Sequence, residues 1–136
     1  MQGDDGSLRT EGTVAGTREQ QMVEMLKELR IESDGVQAVV LISSDAMPLA
    51  SDMPNGMEEE LLSATASALI ASGERVAREL LMGIIDQVYL RGDAGDLVVV
   101  KVNDDALLAC TVDHNAKMGM TLLEVNRCAH KLAETI

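Results

Sequence analysis

Residues 84–112 read IIDQVYLRGDAGDLVVVKVNDDALLACTV, and this stretch decides the fold. It holds three runs rich in β-branched and aliphatic residues, 84–91 (IIDQVYLR), 97–102 (LVVVKV) and 106–112 (ALLACTV). Between them stand Gly92-Asp93-Ala94-Gly95-Asp96 and Asn103-Asp104-Asp105, short polar connections of the kind that close hairpins. The reading is three strands in an antiparallel meander. The first alternates Ile84, Asp86, Val88 and Leu90 against Ile85, Gln87, Tyr89 and Arg91, and because it begins the meander it is placed on the sheet's edge. An open edge of such β-propensity invites pairing, and a two-fold mate would abolish it. An edge guarded by Asp86 and Arg91 is the alternative, since charges also blunt edges.

Working outward, residues 36–43 (VQAVVLIS) form a β-branched run whose centre, Val39-Val40-Leu41-Ile42, leaves neither face polar. Such a strand is covered on both sides. Ser44-Asp45-Ala46-Met47 then turns the chain into a short strand at 48–51, whose Pro48 marks it as an edge. From Met57 to about Met82 no proline occurs and Ala, Leu, Glu and Ser dominate, which predicts the longest helix, on the order of 38 Å at 1.5 Å per residue. Met22, Met25 or Leu26, and Leu29 mark an amphipathic helix from Thr17 that ends before Asp34-Gly35. Leu122, Val125 or Asn126, Cys128 or Ala129, and Leu132 mark another at about 118–134. Residues 1–16 carry four glycines and no periodic apolar pattern, and are read as a flexible tail before one domain at 17–136. The fold class is α/β (α+β): a three-layer α/β/α sandwich around one five-stranded antiparallel sheet, in the order α-β-β-α-β-β-β-α.

Composition narrows the function. The 136 residues carry 11 Lys and Arg against 23 Asp and Glu, a net charge of −12, with Tyr89 as the single aromatic. That charge repels phosphate backbones and anionic membrane surfaces, and one aromatic gives no stacking platform, so nucleic acid is not an expected partner. No apolar run approaches the length that spans a bilayer, so direct membrane insertion is not expected either. Two cysteines, Cys110 and Cys128, make no disulfide framework, and a reducing cytoplasm fits.

The long helix carries two stripes. Leu62, Ala66, Leu69, Gly73, Val76 and Leu80 step by four and three and are assigned to the sheet. Ala64, Ala68, Ala71 and Ser72, with Ser67 beside them, are uniformly small and would let another backbone approach. Helix propensity on a solvated face explains them equally. Phosphate loops, dinucleotide turns, nucleophile elbows and zinc-protease helices are absent. His114 and His130 stand among polar neighbours without a nucleophile in phase, Cys110 and Cys128 read as small buried hydrophobes, and Asp93, Asp96, Asp104 and Asp105 read as turn residues. No enzyme activity, cofactor or metal is expected.

Taken in order, Val39-Val40-Leu41-Ile42-Ser43-Ser44-Asp45, Pro48-Leu49-Ala50-Ser51, the Ala-rich helix with Gly73-Glu74-Arg75, Gln87-Val88, Leu97-Val98-Val99-Val100, Leu107-Leu108-Ala109 and the helix entry at 119–124 resemble the roadblock family. That family includes the dynein roadblock light chain and bacterial and archaeal regulators of Ras-like GTPases. The resemblance covers about residues 18–135. One departure is Asp45-Ala46, where the family usually has Asp-Gly. The resemblance implies a cytoplasmic signalling homodimer whose edge strands 84–91 pair into one continuous sheet, with the long helices side by side along Ala64, Ser67, Ala68, Ala71 and Arg75. It further implies a non-catalytic role, binding a small Ras-like GTPase and modulating its nucleotide cycle, with Glu60, Glu74 and Arg78 as candidate contacts. Arg75 and Arg78 are not assigned as arginines supplied in trans to the hydrolysis, since members of the family look like organisers of the GTPase's own residues. A dimeric scaffold tethering larger complexes independently of nucleotide is the alternative, and an enzyme built on His114 and Cys110 a third reading.

Overall fold

A computed structural model describes residues 2–136, with side-chain surroundings from residue 16 onward. In chain order the elements are α1 (Gln2–Glu32), β1 (Val36–Ser43), β2 (Pro48–Asp52), α2 (Glu59–Glu79), β3 (Gln87–Arg91), β4 (Asp96–Asn103), β5 (Ala106–Val112) and α3 (Met118–Thr135). The five strands form one sheet in the order β2-β1-β5-β4-β3, with every neighbouring pair antiparallel. The unbroken apolar run of β1 follows from its interior place between β2 and β5. Val39 and Leu41 enter the core on one face of the sheet, and Val40 and Ile42 the core on the other.

Helices cover both faces. On the first, Met22, Leu26 and Leu29 of α1 and Val125, Cys128, Ala129 and Leu132 of α3 pack with Val98, Val100, Leu108 and Cys110. On the second, Leu62, Ala66 and Ile70 of α2 pack with Val99 and Ala109. This is the three-layer sandwich expected from the hydrophobic pattern. Burial of each apolar side chain contributes on the order of 1.5–3 kcal/mol, and the alternation in β1 and β4 loads both cores from the same strands.

Several boundaries differ from the expectation. The helix α1 begins at Gln2, ahead of the periodicity at Thr17. The side chains of residues 1–15 lie outside the described residues, and the expectation of a flexible tail falls with them. The helix α2 is shorter than 57–82, and β3 starts at Gln87 rather than Ile84. The reversal after α2 occupies the intervening residues, with Leu81 at φ 56° and Gly83 at φ 86°. Asp86 still accepts a hydrogen bond from the Lys101 N–H at 2.8 Å, so the chain approaches β4 before the strand proper.

The β1–β2 turn shows what the missing glycine costs. Ala46 has φ 66°, a left-handed conformation that an L side chain resists and glycine accepts freely. The turn is held by Ser43, whose N–H donates to the Met47 carbonyl at 2.8 Å and whose Oγ accepts from the Met47 N–H at 3.2 Å. Replacing Ala46 by Gly relieves the strain without touching those bonds. Ala46→Gly is expected to raise stability by about 0.5–1 kcal/mol, read as a higher urea midpoint with an unchanged slope; an unchanged or lower midpoint contradicts it.

Candidate functional site

The sheet has two open edges, and only one is blunted. Strand β2 begins with Pro48, and its pairing with β1 is interrupted by a bulge beside Leu49, both devices that discourage edge pairing. It is also strapped from both faces: Arg30 of α1 meets Asp52 at 3.3 Å, and the Ser51 hydroxyl donates to the Glu59 carboxylate of α2. Strand β3 has neither a proline nor a bulge, and one hydrogen bond from Asn126 of α3 to Gln87 ties it from a single face. Its register with β4 runs unbroken from Gln87↔Val100 to Arg91↔Asp96, and its centre is Val88-Tyr89-Leu90. Asp86, one of the two charges that could guard the edge, precedes the strand, and Arg91 ends it.

Above this edge lies the end of α2. One row of the sheet joins Ser51, Val40, Ala109, Val99 and Val88 as successive partners across all five strands. Glu59 stands over the first of them, and Gly73 over the last, where an added Cβ would come within 2.8 Å of Val88 Cγ2. The helix therefore crosses the sheet from β2 to β3. Fourteen residues at 1.5 Å give about 21 Å, which matches four strand spacings of roughly 4.8 Å. After Gly73 the helix has passed the sheet's width, and its last turns overhang the edge.

That geometry corrects the first apolar stripe. Leu62, Ala66, Ile70 and Ala77 are buried, with Leu69 and Gly73 partly so, whereas Val76 and Leu80 are exposed. A 3.6-residue period puts 62, 66, 70, 73 and 77 on one face and 76 at its border, while 80, five turns from 62, shares that face but caps the helix end. Past the helix, Leu81, Met82 and Ile84 are exposed as well. In the second stripe Ala64, Ala68, Ala71 and Arg75 are exposed, and half-buried Ser67, with Ala71 next to it, borders the groove that also holds Lys101 and Leu107. Of the other candidates, Glu60 and Arg78 are exposed, while Glu74 is held by the Lys101 ammonium at 2.5 Å. Arg75 pairs with Glu79 one turn on at 3.3 Å. The exposed apolar set of Val76, Leu80, Leu81, Met82 and Ile84 was missed as a site, because in sequence it reads as the continuation of the core stripe.

On the other face, Tyr89 reaches a polar centre. Its hydroxyl donates to Asp96 Oδ2 at 2.8 Å, and His114 Nδ1 lies 3.3 Å from Oδ1. The Asp96 side chain is 1 % exposed. Burial raises its pKa, but the hydrogen bonds from Tyr89 and His114, with the charge of Arg91, outweigh it and hold the carboxyl below its ordinary 3.8. Asn126 of α3 completes the flank with a hydrogen bond to Gln87 at 3.4 Å. His114 thus serves a structural tie to the edge strand. Cys110 and Cys128 are buried, and burial pushes both thiols up, that of Cys128 to about 11, with Lys131 partly opposing. Neither is a poised nucleophile. Among the described residues no group of three or more His, Cys, Asp or Glu is arranged to hold a metal ion.

Comparison with known proteins places this geometry among relatives. The Roadblock/LC7 domain matches residues 22–111. The uncharacterized proteins MJ1340 and MJ0310 of Methanocaldococcus jannaschii are each 28% identical over 101 residues, covering 74% of this chain and 88% of theirs. Among solved structures, MglB in a tetrameric arrangement superposes with a TM-score of 0.79 at 23% identity, over 87% of this chain and 89% of that one. The gliding protein MglB of Thermus thermophilus gives 0.77 at 21%, over 87% and 90%. A Roadblock/LC7 domain of Streptomyces avermitilis gives 0.77 at 18%, over 82% and 94%.

The buried Asp96 makes the tie to β3 sensitive to acid. With the folded pKa depressed, the stabilisation is full above the ordinary carboxylate value of 3.8 and is lost as pH falls through the folded value. Asp96→Asn is expected to be less stable than the parent at pH 5, with the difference closing towards pH 2 in urea melts. A difference that persists at pH 2 contradicts this assignment.

Proposed function

The chain belongs to the Roadblock/LC7 domain family, and from that premise we propose that it is a non-catalytic homodimeric regulator that binds a small Ras-like GTPase and modulates its nucleotide cycle. The pairing is carried by one observation: β3 is the unblunted edge of the sheet, and α2 extends past it with Val76 and Leu80 uncovered. Joining two β3 edges about a two-fold satisfies the outward backbone groups and lays a second sheet under each overhang. The helix-pairing contact then belongs to the last turns of α2 rather than to Ala64, Ala68 and Ala71, and of the small stripe only Arg75 falls in the overhang.

The outward face of α2 is thereby freed for a partner. Ala64, Ala68 and Ala71 present a low surface flanked by Glu60 and Arg78, on which another protein's element can lie close to the helix backbone. Glu74 contributes less than its exposure on a bare helix would suggest, because Lys101 holds it. The net charge of −12 favours a partner with a basic contact patch. A protein without catalytic groups changes GTP turnover by binding one conformation of the GTPase more tightly than another, and a tenfold preference shifts that equilibrium by about 1.4 kcal/mol.

The test has two arms. In sedimentation the parent chain is expected at twice the monomer mass, and Leu90→Lys, a charge at the centre of the edge, is expected to weaken association by about a hundredfold or more while the monomer stays folded. Equal association of the two refutes the β3 interface. With a cognate Ras-like GTPase added, the parent is expected to change the rate of GTP turnover, and Ala68→Arg to reduce that effect about tenfold or more while pairing is retained. Binding that ignores nucleotide and leaves turnover unchanged establishes the scaffold instead.

A further inference from the structure

The groove beside Ser67 runs between α2 and the ends of β1, β4 and β5, and encloses about 360 Å³. Its floor is apolar, made by buried Ile70 and half-buried Leu107 of the same core. Its rim is charged: Glu74 of α2 and Asp104 and Asp105 of the β4–β5 turn stand against a single cation, Lys101. That cation is committed to Glu74, and among the described residues no Lys, Arg or His pairs with Asp104 or Asp105. Two exposed carboxylates over an apolar slot are thus left uncompensated. Their charge rejects phosphates and carboxylates, and the volume, at the small end of ligand sites, suits one long side chain. Arginine has both properties that such a groove asks for, an aliphatic stem for the floor and a planar guanidinium that meets carboxylates through paired hydrogen bonds.

We propose that this groove seats an arginine side chain projected by the protein partner that lies on the outer face of α2. The inference rests on that partner reading and deepens it: Ala71 belongs both to the low outer surface and to the groove's wall, so a chain lying over Ala64, Ala68 and Ala71 passes the groove's mouth. The stem lies on Ile70 and Leu107, and the guanidinium ends among Asp104, Asp105 and Glu74, with Lys101 as the competing cation already in place. Removing the charge of Lys101 therefore strengthens the seat, and removing those of Asp104 and Asp105 weakens it. Damage to the fold does not produce that opposition of sign.

The experiment separates the seat from the partner. N-acetylarginine amide is titrated into the parent chain and followed by amide chemical shifts, with N-acetylcitrulline amide, the same shape without the charge, as control. Shifts are expected at Ser44, Ala71 and residues 103–107 with the arginine probe and not with citrulline. Asp104→Asn combined with Asp105→Asn is expected to weaken that binding about threefold or more, and Lys101→Met to strengthen it. Glu24→Gln with Glu134→Gln, an equal change of charge at exposed positions on the helices of the opposite face, is expected to leave it unchanged. Equal shifts from both probes, shifts outside the groove, or a loss that both charge-matched pairs share overturns the seat. The same chains are then bound to a cognate Ras-like GTPase, where the Asp104 and Asp105 pair is expected to cost about tenfold in affinity and the control pair little. If the GTPase binds all of them alike, the seat is wrong and the GTPase reading stands. If the arginine probe maps to the groove and no GTPase binds the parent, the seat stands and the GTPase reading falls.

Discussion

A 21-residue helix laid across a five-stranded sheet is longer than the sheet is wide, and the exposed chemistry of this protein follows from that mismatch. At 1.5 Å per residue α2 extends about 31 Å, against roughly 19 Å for four strand spacings. The first part of the helix finds a floor of Val40, Ile42, Val99 and Ala109. Beyond Gly73 only Ala77 stays buried, and Val76 and Leu80 face outward. The same excess brings the helix end over the open strand, where an unpaired backbone edge and uncovered apolar side chains coincide. Their adjacency is the basis of the pairing proposed for this chain.

Much of the architecture was legible because it depends on local rules. The β1–β2, β3–β4 and β4–β5 connections are short, so strand polarity follows from turn chemistry, and the unbroken run Val39–Val40–Leu41–Ile42 requires cover on both faces. The phase of α2 was less accessible. Its sequence supports two apolar lines, 62-66-69-73-76-80 and 62-66-70-73-77, and hydrophobicity ranks the first above the second. The structure buries Ile70 and Ala77 of the second and exposes Val76 and Leu80 of the first, an outcome set by the rotation of the helix over the sheet, which no helix window contains. Likewise Ile84 and Ile85 have full β-propensity, yet the chain needs residues beyond Glu79 to reverse before it can pair, and that delays β3 to Gln87.

The candidate site divides along the same line. The edge strand could be found from its place at the head of the meander, and the structure adds a difference between the two edges: β2 carries Pro48, a bulge and straps from two helices, and β3 only the tie from Asn126. The stripe of alanines was visible as a pattern but not as an orientation, and it faces solvent rather than the edge. The tie from Tyr89 through Asp96 to His114 was invisible, because it joins a strand, the next strand's first residue and a loop 18 residues further on. It gives His114 a positional role on the edge strand and makes Asp96 more than a turn residue.

The central claim is that β3 is a paired strand in the working protein. Hydrogen–deuterium exchange of the Gln87–Arg91 amides, followed across protein concentration, tests it directly, since outward N–H groups are protected only when another strand receives them. The account requires slow exchange for the outward amides of β3 at high concentration and fast exchange on dilution, while β4 and β5 stay protected throughout. Fast exchange of those β3 amides at every concentration contradicts it.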